Sequence, residues 1–490
     1  MFRMVKLKDI LNGVNILKIT GSRETEVKRL QFDSREVKPG DIFFAVKGTN
    51  TDGHKYIMSA VNNGASAIIC EKIPVKTVER ATFIQVRNTA IDLGRIAANF
   101  FGNPTEKLKL VGVTGTNGKT TIAHLLYNLF RKAGKKTGLI STTGNIIVEE
   151  EIPATHTTPD ILQINQLLKE MVKKECEYAF MEVSSHALDQ YRTAGLIFKG
   201  GIFTNITHDH LDYHKNFKQY INAKKKFFDD LGEDAFALVN TDDRNAKIMV
   251  QNCNAGIFTY ALKSMANFKG KIIESLQEGT LLKIDNQEVW SRLVGEFNAY
   301  NLLAVYAASN LLGLKKDELI RLISESEPVP GRFEIIRSVG GVTAVVDYAH
   351  TPDALENILD ALGKIKKQKK QIITVVGSGG DRDKSKRPVM AGIAVNKSDK
   401  VILTSDNPRT ENPQMIIDDM FKGVEKNEKR KVLILIDRKE AIKIACMLAE
   451  KDDVILIAGK GHETYQEING VKYHFDDREV VAGMFKVLAM

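Results

Sequence analysis

The stretch from Gly112 to Thr121, GVTGTNGKTT, combines residue types suited to holding a phosphate chain. In a glycine-rich turn before a helix, backbone N–H groups are unpaired and the helix dipole favours an anion. Lys119 adds a charge for the outer phosphates, and the Thr120 hydroxyl can bind Mg²⁺. The spacing departs from the usual phosphate-loop pattern, because Val113 stands five residues before Gly118. The alternative is a tight turn that merely contains glycine and lysine.

Two further polar clusters follow predicted strands. Glu182 lies near the end of the strand 178–183, and ligands bind outside the carboxyl ends of parallel strands, so Glu182 is placed to meet a Mg²⁺. Residues 207–214, THDHLDYH, hold three histidines and two aspartates, which suggests metal or phosphate chemistry without a zinc signature. The alternatives are a solvent-facing glutamate and a polar loop with one core histidine.

Two predicted helices carry candidate ligands. The helix 220–231 contains Lys224–Lys226, and one of the three shares a face with Phe227, although a charge run is usually a solvated face. The helix that begins near Gly295 carries Asn298 and Asn301 on one face, where they can read an adenine edge or cap the helix.

The C-terminal third alternates strands and helices, which predicts a doubly wound parallel sheet. Polar clusters follow four of its strands, at 347–350, 377–383, 406–409 and 459–463. Any one could be only a turn, but four at successive strand ends predict one site. Carboxylates there suit an ammonium, and Arg409 suits a carboxylate. These clusters therefore suit a ligand that carries both an ammonium and a carboxylate.

The elements that position these residues predict an α/β protein of three domains. The breaks Gly102–Pro104 and Pro328–Arg332 divide the chain into residues 1–105, 106–330 and 331–490. In the first domain, strands are predicted at 29–32, 41–46 and 67–70 with a helix at 54–64. In the second, Thr158 is the predicted N-cap of a helix whose first residue is Pro159.

Composition indicates a soluble globular protein, with 43% hydrophobic and 27% charged residues. The net charge of +9 suggests nucleic acid, but no long basic run supports it. The four cysteines lack metal or redox spacing, which favours reduced thiols in the cytoplasm. We read no signal peptide and no membrane span, and expect a monomer.

As a set, several motifs resemble the Mur ligase family over nearly the whole chain. They are DSREVKPGDIFFA, GVTGTNGKTT, MEVSSHAL, FTNITHDHLDYH, GEFNAYN, PGRFE, DYAHTPDAL, GGDRDKSKRP, DNPR and GKGHE, in the family's order. The resemblance implies a small N-terminal α/β domain, a central ATPase-type parallel sheet with the phosphate loop, and a C-terminal Rossmann-like domain. It implies that ATP activates UDP-N-acetylmuramoyl-L-alanyl-D-glutamate as an acyl phosphate, which an amino acid then attacks. Because Arg409 can pair with a second carboxylate, which lysine lacks, the resemblance leads us to expect meso-diaminopimelate or a close diacid such as lanthionine as that amino acid.

The resemblance also implies residue roles. ATP would contact Gly115, Thr116, Asn117, Gly118, Lys119, Thr120, Thr121, Asn298, Asn301, Arg332 and Asp347. The muramoyl-peptide would contact Ser34, Thr157, Thr158, Ser184, Gln190 and Arg192. The amino acid would contact Arg382, Asp406, Asn407, Arg409, Gly459 and Glu463. Two Mg²⁺ ions would use Thr120, Glu182, His210 and Lys224, with Lys224 carbamylated to N6-carboxylysine; Lys119, Lys224, His210 and Glu182 would be catalytic.

Three other functions stay open at this point. A Mur ligase that adds lysine would share most of these motifs, and a folylpolyglutamate synthetase would share the phosphate loop. A regulator or nucleic-acid binder without catalytic activity is suggested only by the positive charge, and predicts salt-sensitive binding.

Overall fold

The computed structural model describes residues 4–49, 51–75, 77, 79–154 and 156–488. In the N-terminal region, four parallel strands are joined by an antiparallel edge strand in the order β2-β7-β6-β5-β4. Its strands are Val5–Lys6 (β1), Ile16–Thr20 (β2), Glu26–Val27 (β3), Leu30–Gln31 (β4), Ile42–Phe44 (β5), Ala67–Cys70 (β6) and Thr82–Val86 (β7), and its helices are Leu7–Ile10 (α1), Ile57–Asn62 (α2) and Thr89–Phe101 (α3).

The middle of the chain forms an eleven-stranded sheet in the order β11-β10-β9-β12-β8-β13-β14-β15-β16-β17-β18. Its strands are Lys109–Thr114 (β8), Thr137–Ser141 (β9), Gly144–Ile147 (β10), Glu150–Ile152 (β11), Tyr178–Glu182 (β12), Gly200–Phe203 (β13), Phe236–Asn240 (β14), Gly256–Ala261 (β15), Phe268–Leu276 (β16), Gly279–Ile284 (β17) and Gln287–Ser291 (β18). The seven neighbouring strands β9, β12, β8, β13, β14, β15 and β16 are parallel. Antiparallel strands extend both edges, β10 and β11 beyond β9 and β17 and β18 beyond β16.

Helices cover both faces of this central sheet. They are Lys119–Lys132 (α4), Ile161–Lys173 (α5), Ser185–Asp189 (α6), Leu211–His214 (α7), Phe217–Asp229 (α8), Ala246–Met249 (α9), Glu296–Leu311 (α10) and Lys316–Ser324 (α11). Helix α4 buries Ile122, Leu125, Leu126, Leu129 and Phe130, as their helical spacing predicts. This burial against β8 and β12 fixes the start of α4 at the edge of the sheet.

The C-terminal region is a doubly wound sheet in the order β19-β20-β24-β21-β22-β23, parallel except for the edge strand β19. Its strands are Glu334–Arg337 (β19), Thr343–Asp347 (β20), Ile372–Val376 (β21), Lys400–Leu403 (β22), Val432–Ile434 (β23) and Val454–Ala458 (β24), followed by the hairpin Tyr465–Ile468 (β25) and Val471–His474 (β26). Its helices are Pro352–Ile365 (α12), Lys386–Lys397 (α13), Pro413–Phe421 (α14), Arg438–Leu448 (α15) and Asp477–Val487 (α16). The predicted α/β fold is confirmed, whereas the boundaries at 105 and 330 stay predictions.

The prediction for the start of α5 is wrong. Asp160, not Thr158, is the N-cap, because its carboxylate accepts from Leu162 N at 2.9 Å and Gln163 N at 3.0 Å, and the helix begins at Ile161. The Thr158 hydroxyl instead donates to Glu182 O at 2.8 Å, so this threonine is tied to the end of β12. Among the described residues, no helix is both long and apolar enough to cross a membrane.

Candidate active site

The phosphate-loop segment 115–118 joins the central strand β8 to α4, and β8 lies between β12 and β13. Gly115 has a φ of +149°, and a Cβ there would lie 1.9 Å from Thr204 Oγ1. Gly118 has a φ of +90°, and a Cβ there would lie 2.6 Å from Asn301 Oδ1. Both positions therefore require glycine, and the sheet order brings the ends of three strands together.

Lys119 folds back over this loop. Its Nζ donates to Gly115 O at 2.9 Å and Thr116 O at 2.8 Å. Burial lowers the pKa of Lys119, although Glu182 and Asp209 oppose the shift. An anion in the loop would take over these donor hydrogens and favour the charged form of the lysine.

Glu182, 1% exposed, accepts hydrogen bonds on both carboxylate oxygens. Thr120 Oγ1 donates to Oε2 at 2.9 Å, while Ser141 Oγ and Thr142 N donate to Oε1 at 2.7 and 2.8 Å. Arg332 Nη2 reaches Thr120 Oγ1 at 3.0 Å from the C-terminal region. The carboxylate and hydroxyl oxygens of Glu182 and Thr120 are ligands that suit Mg²⁺.

A second lysine amine reaches the carbonyl of Gly115. Lys224 is 1% exposed, and its Nζ donates to Gly115 O at 2.8 Å and lies 4.9 Å from the centre of the Tyr220 ring. Burial, reinforced by the nearby Lys119, lowers the pKa of Lys224 well below its usual value. Of the three consecutive lysines, this one lines the cavity, and its burial favours the neutral form of the amine.

His210 borders the same space, with its Nε2 3.2 Å from Asp209 Oδ2. Burial lowers the pKa of His210 to about 3, so the imidazole is neutral and can act as a ligand. Among the described residues, no group of three or more His, Cys, Asp or Glu side chains is arranged to hold a metal ion. A cation here would need oxygens from a bound substrate in addition to Glu182 or His210.

The C-terminal strand ends face this loop. Asp347 accepts from Phe333 N at 2.6 Å and Ala349 N at 2.7 Å, and burial raises its pKa to about 6 against the influence of Arg332. The Arg332 guanidinium lies 4.3 Å from the centre of the Tyr348 ring. Arg332 thus bridges the two sheets, since it also contacts the phosphate-loop helix.

A second cluster of polar side chains follows strands β22 and β24. Asn407 Nδ2 donates to Glu463 Oε2 at 2.8 Å, and Arg409 Nη1 donates to Gly380 O at 2.7 Å. Gly459 has a φ of +118°, and a Cβ there would lie 2.9 Å from Asp406 Oδ2, so glycine permits the two strand ends to approach. The predicted meeting of these clusters at one sheet edge is confirmed.

One cavity of about 900 Å³ joins the phosphate loop to the C-terminal strand ends. Most of the predicted site residues line it: Thr116, Asn117, Gly118, Lys119, Thr120, Thr121, Thr157, Thr158, Glu182, Ser184, Arg192, His210, Lys224, Asn298, Asn301, Arg332, Asp347, Arg382, Asp406, Asn407, Arg409, Gly459 and Glu463. Gly115, the first residue of the loop, and Gln190 are not among the residues that line this cavity. Gln190 accepts from the Arg192 guanidinium. Ser34 is buried in the N-terminal region, where its carbonyl accepts from Asn63.

The sequence patterns missed several residues of this cavity. Thr142 lines the cavity and follows Ser141, the last residue of β9. Only the sheet order places both residues against Glu182. Asp353, at the start of α12, accepts from Asn117 Nδ2 at 2.7 Å and connects the phosphate loop to the C-terminal region. The one sequence signal is the pair of consecutive hydroxyl residues at the end of β9, Ser141 and Thr142, which could have indicated a further ligand.

Three models of known protein families match the chain. They are "Mur ligase family, catalytic domain" at residues 26–101, "Mur ligase middle domain" at 113–309, and "Mur ligase, glutamate ligase domain" at 331–461. A relative from Phocaeicola vulgatus, named UDP-N-acetylmuramoyl-L-alanyl-D-glutamate–2,6-diaminopimelate ligase, is 56% identical over 98% of this chain and 99% of its own. A solved structure of a ligase with the same name is 32% identical, covers 100% of both chains and has a TM-score of 0.70. MurF ligase from Thermotoga maritima in complex with ADP, 22% identical over 94% of this chain and 97% of its own, shares the fold with a TM-score of 0.61.

Proposed function

The chain belongs to the Mur ligase family of ATP-dependent ligases, and we propose that it joins meso-diaminopimelate, or a close diamino diacid, to UDP-N-acetylmuramoyl-L-alanyl-D-glutamate. The reaction forms an amide bond during synthesis of the peptidoglycan precursor. We further propose that the enzyme acts in the cytoplasm as a monomer, with small-molecule substrates only.

The observation that carries this proposal is the composition of the cavity between the phosphate loop and the C-terminal strand ends. At one end lie a phosphate loop and Glu182, and at the other lie two carboxylates, Asp406 and Glu463, beside Arg409. The first end suits ATP and the second suits an amino acid with both an ammonium and a carboxylate. A cavity with both ends matches a reaction in which ATP activates an acid for attack by an amine.

The chemistry requires activation because a carboxylate is a poor electrophile. The γ-phosphoryl group of ATP passes to the peptide's carboxylate, the incoming amine attacks the acyl carbon, and phosphate leaves with the former carboxylate oxygen. Lys119 holds the outer phosphates and offsets the charge that accumulates between nucleotide and carboxylate. Asn298 and Asn301 would bind the nucleotide, and Arg332 and Asp347 would hold it from the C-terminal side.

The other substrate would approach from the N-terminal side. Thr157, Thr158 and Ser184 lie at the end of β12, and Arg192 is held by Gln190. These polar groups would bind the muramoyl-peptide near Glu182, and Ser34 would contact the uridine part.

Two Mg²⁺ ions would neutralise phosphate charge when bound. Thr120 and Glu182 would hold one ion, and His210 and Lys224 the other. A cationic lysine repels a metal, but the neutral Lys224 amine can add to carbon dioxide and lose one proton, which gives an anionic N6-carboxylysine. A carbon-13 NMR signal from labelled carbon dioxide at Lys224, absent in Lys224→Ala, would support this; an unlabelled protein under the same conditions would contradict it.

An amino-acid panel with ATP and UDP-N-acetylmuramoyl-L-alanyl-D-glutamate tests the function. We expect phosphate release with diaminopimelate and little with lysine, because lysine cannot pair with Arg409. Equal efficiency with lysine would favour a lysine-adding ligase, and activity only with a folate substrate would favour a folylpolyglutamate synthetase. Salt-sensitive nucleic-acid binding without phosphate release would favour a regulator.

A further inference from the structure

Lys460 is a buried cation next to the residues that line the amino-acid end of the cavity, and the proposed mechanism does not yet use it. It follows Gly459 at the end of β24 and is fully buried. Its Nζ donates to Asn407 Oδ1 at 3.0 Å and to Glu463 Oε2 at 3.1 Å, and lies 3.8 Å from Asp406 Oδ1. A buried ammonium is costly unless it is paired and hydrogen-bonded, so this position is strongly determined by its partners.

These contacts fix the orientation of the Asn407 amide. Its Oδ1 accepts from both Lys460 Nζ and Glu467 N, the latter at 3.0 Å, so its Nδ2 must point the other way. That amide nitrogen donates to Glu463 Oε2, the same oxygen that Lys460 contacts. Two donors therefore hold the Glu463 carboxylate through one oxygen.

One carboxylate oxygen of this cluster receives no hydrogen bond from the described residues. Asp406 Oδ1 is buried, and no described group donates a hydrogen bond to it. Asp406 and Glu463 both line the cavity, whereas Lys460 does not. The two carboxylates and one ammonium sum to a single negative charge, which matches one ammonium of a ligand.

We propose that Lys460 is a positioning residue that builds a subsite for the far-end ammonium of the incoming diamino diacid. It orients Asn407 and Glu463 and neutralises one of the two carboxylate charges. This inference rests on the proposed function, since it assigns the second ammonium of that function's amino acid. Arg409, beside the subsite, would hold the far-end carboxylate.

No other described cation takes this part. Arg438 is also fully buried nearby, but it pairs with Asp477 at 2.8 Å through two nitrogens and donates to Ala458 O at 3.0 Å. Arg409 is bound to Gly380 O, with its Nε 3.6 Å from Glu467. Lys460 is thus the cation that contacts Asn407 and Glu463 in the part of the chain that the structure describes.

The test compares diaminopimelate with racemic 2-aminopimelate, which keeps both carboxylates but lacks the far-end amine. In Lys460→Met we expect kcat/KM for diaminopimelate to fall about tenfold or more, mainly through KM, as for the loss of a charge-assisted hydrogen-bond network. The variant should leave kcat/KM for 2-aminopimelate and the KM for ATP unchanged. A purely structural role would instead lower both amino-acid rates together.

Lys443→Met, which removes an exposed ammonium from α15, is the matched control and should change neither substrate's rate. If Lys460→Met does not fold, the comparison moves to Glu463→Gln and Lys460→Met/Glu463→Gln, because removing both buried charges avoids an unpaired one. The ratio of kcat/KM for diaminopimelate to kcat/KM for 2-aminopimelate should be no smaller in the double variant than in Glu463→Gln.

The outcomes separate the two proposals. If the wild-type enzyme ligates diaminopimelate but the preference over 2-aminopimelate survives in Lys460→Met, the assignment of Lys460 is wrong and the function stands. The assignment of Lys460 would also be wrong if the double variant preferred diaminopimelate over 2-aminopimelate less strongly than Glu463→Gln does. If the wild-type enzyme does not use diaminopimelate, the proposed function itself fails.

Discussion

Replacement of Arg409 should change the choice of amino acid more than the rate of the chemical step. Arg409 lines the cavity, and its Nη1 donates to Gly380 O at 2.7 Å. A paired carboxylate would receive charge-assisted hydrogen bonds from the free N–H groups. Diaminopimelate has that carboxylate and lysine does not.

The magnitude follows from the bonds that would be lost. Charge-assisted hydrogen bonds contribute about 1.5–3 kcal/mol, so Arg409→Ala should lower kcat/KM for diaminopimelate about 10- to 100-fold. The φ of +51° at Arg409 is equally unfavourable for alanine, so backbone strain does not add to the difference. Lysine, which lacks the carboxylate, should lose almost nothing.

The assay measures phosphate release at varied diaminopimelate and varied lysine, with ATP and the muramoyl-peptide saturating. The ratio of the two kcat/KM values cancels losses caused by misfolding. Arg409→Lys, which keeps the charge without the planar fork, should fall between wild type and Arg409→Ala. Arg430→Ala, an exposed arginine outside the cavity, is the control. An unchanged ratio in Arg409→Ala would refute the assignment.

Three further predictions concern the central carboxylate, a glycine and a thiol. Glu182→Gln should lower kcat about 100-fold or more with unchanged thermal melting, because it keeps the shape but loses the charge that faces Thr120; retention of full kcat would contradict this. Gly459→Ala should lower the melting temperature and raise the KM for diaminopimelate, because the added Cβ would lie 2.9 Å from Asp406 Oδ2. Gly363→Ala is the control, since its Cβ would enter open space within α12 and should have neither effect. Equal melting temperatures of the two variants would contradict this. Burial raises the pKa of Cys446 to about 11, so a thiol reagent at about pH 8 should label it only after denaturation, as peptide mass spectrometry would report.

The fold and the phosphate loop were predictable because local patterns carry them. The helical spacing from Ile122 to Phe130 and the apolar runs of the strands express burial directly. The start of α5 was not predictable, because Thr158 and Asp160 are both residue types that cap helices well. Only the tertiary hydrogen bond from Thr158 to Glu182 O decides between them.

The parts of the site that the sequence did not predict depend on contacts between distant segments. Ser141 meets Glu182 because β9 pairs with β12, and that order cannot be read from spacing along the chain. Lys460 stands in a recognisable glycine-rich motif, yet its role depends on burial against Asn407 from another strand end. Local sequence thus predicts which residues reach the sheet edge, while the strand order determines which of them meet.

Transfer of an oxygen-18 label tests the central claim most directly. Both free carboxylates of the glutamate in UDP-N-acetylmuramoyl-L-alanyl-D-glutamate are labelled, and the enzyme is supplied with ATP and meso-diaminopimelate. The account predicts one labelled oxygen in each released phosphate and a product whose mass equals the two substrates joined with loss of labelled water. Unlabelled phosphate, or no product that contains diaminopimelate, would contradict it.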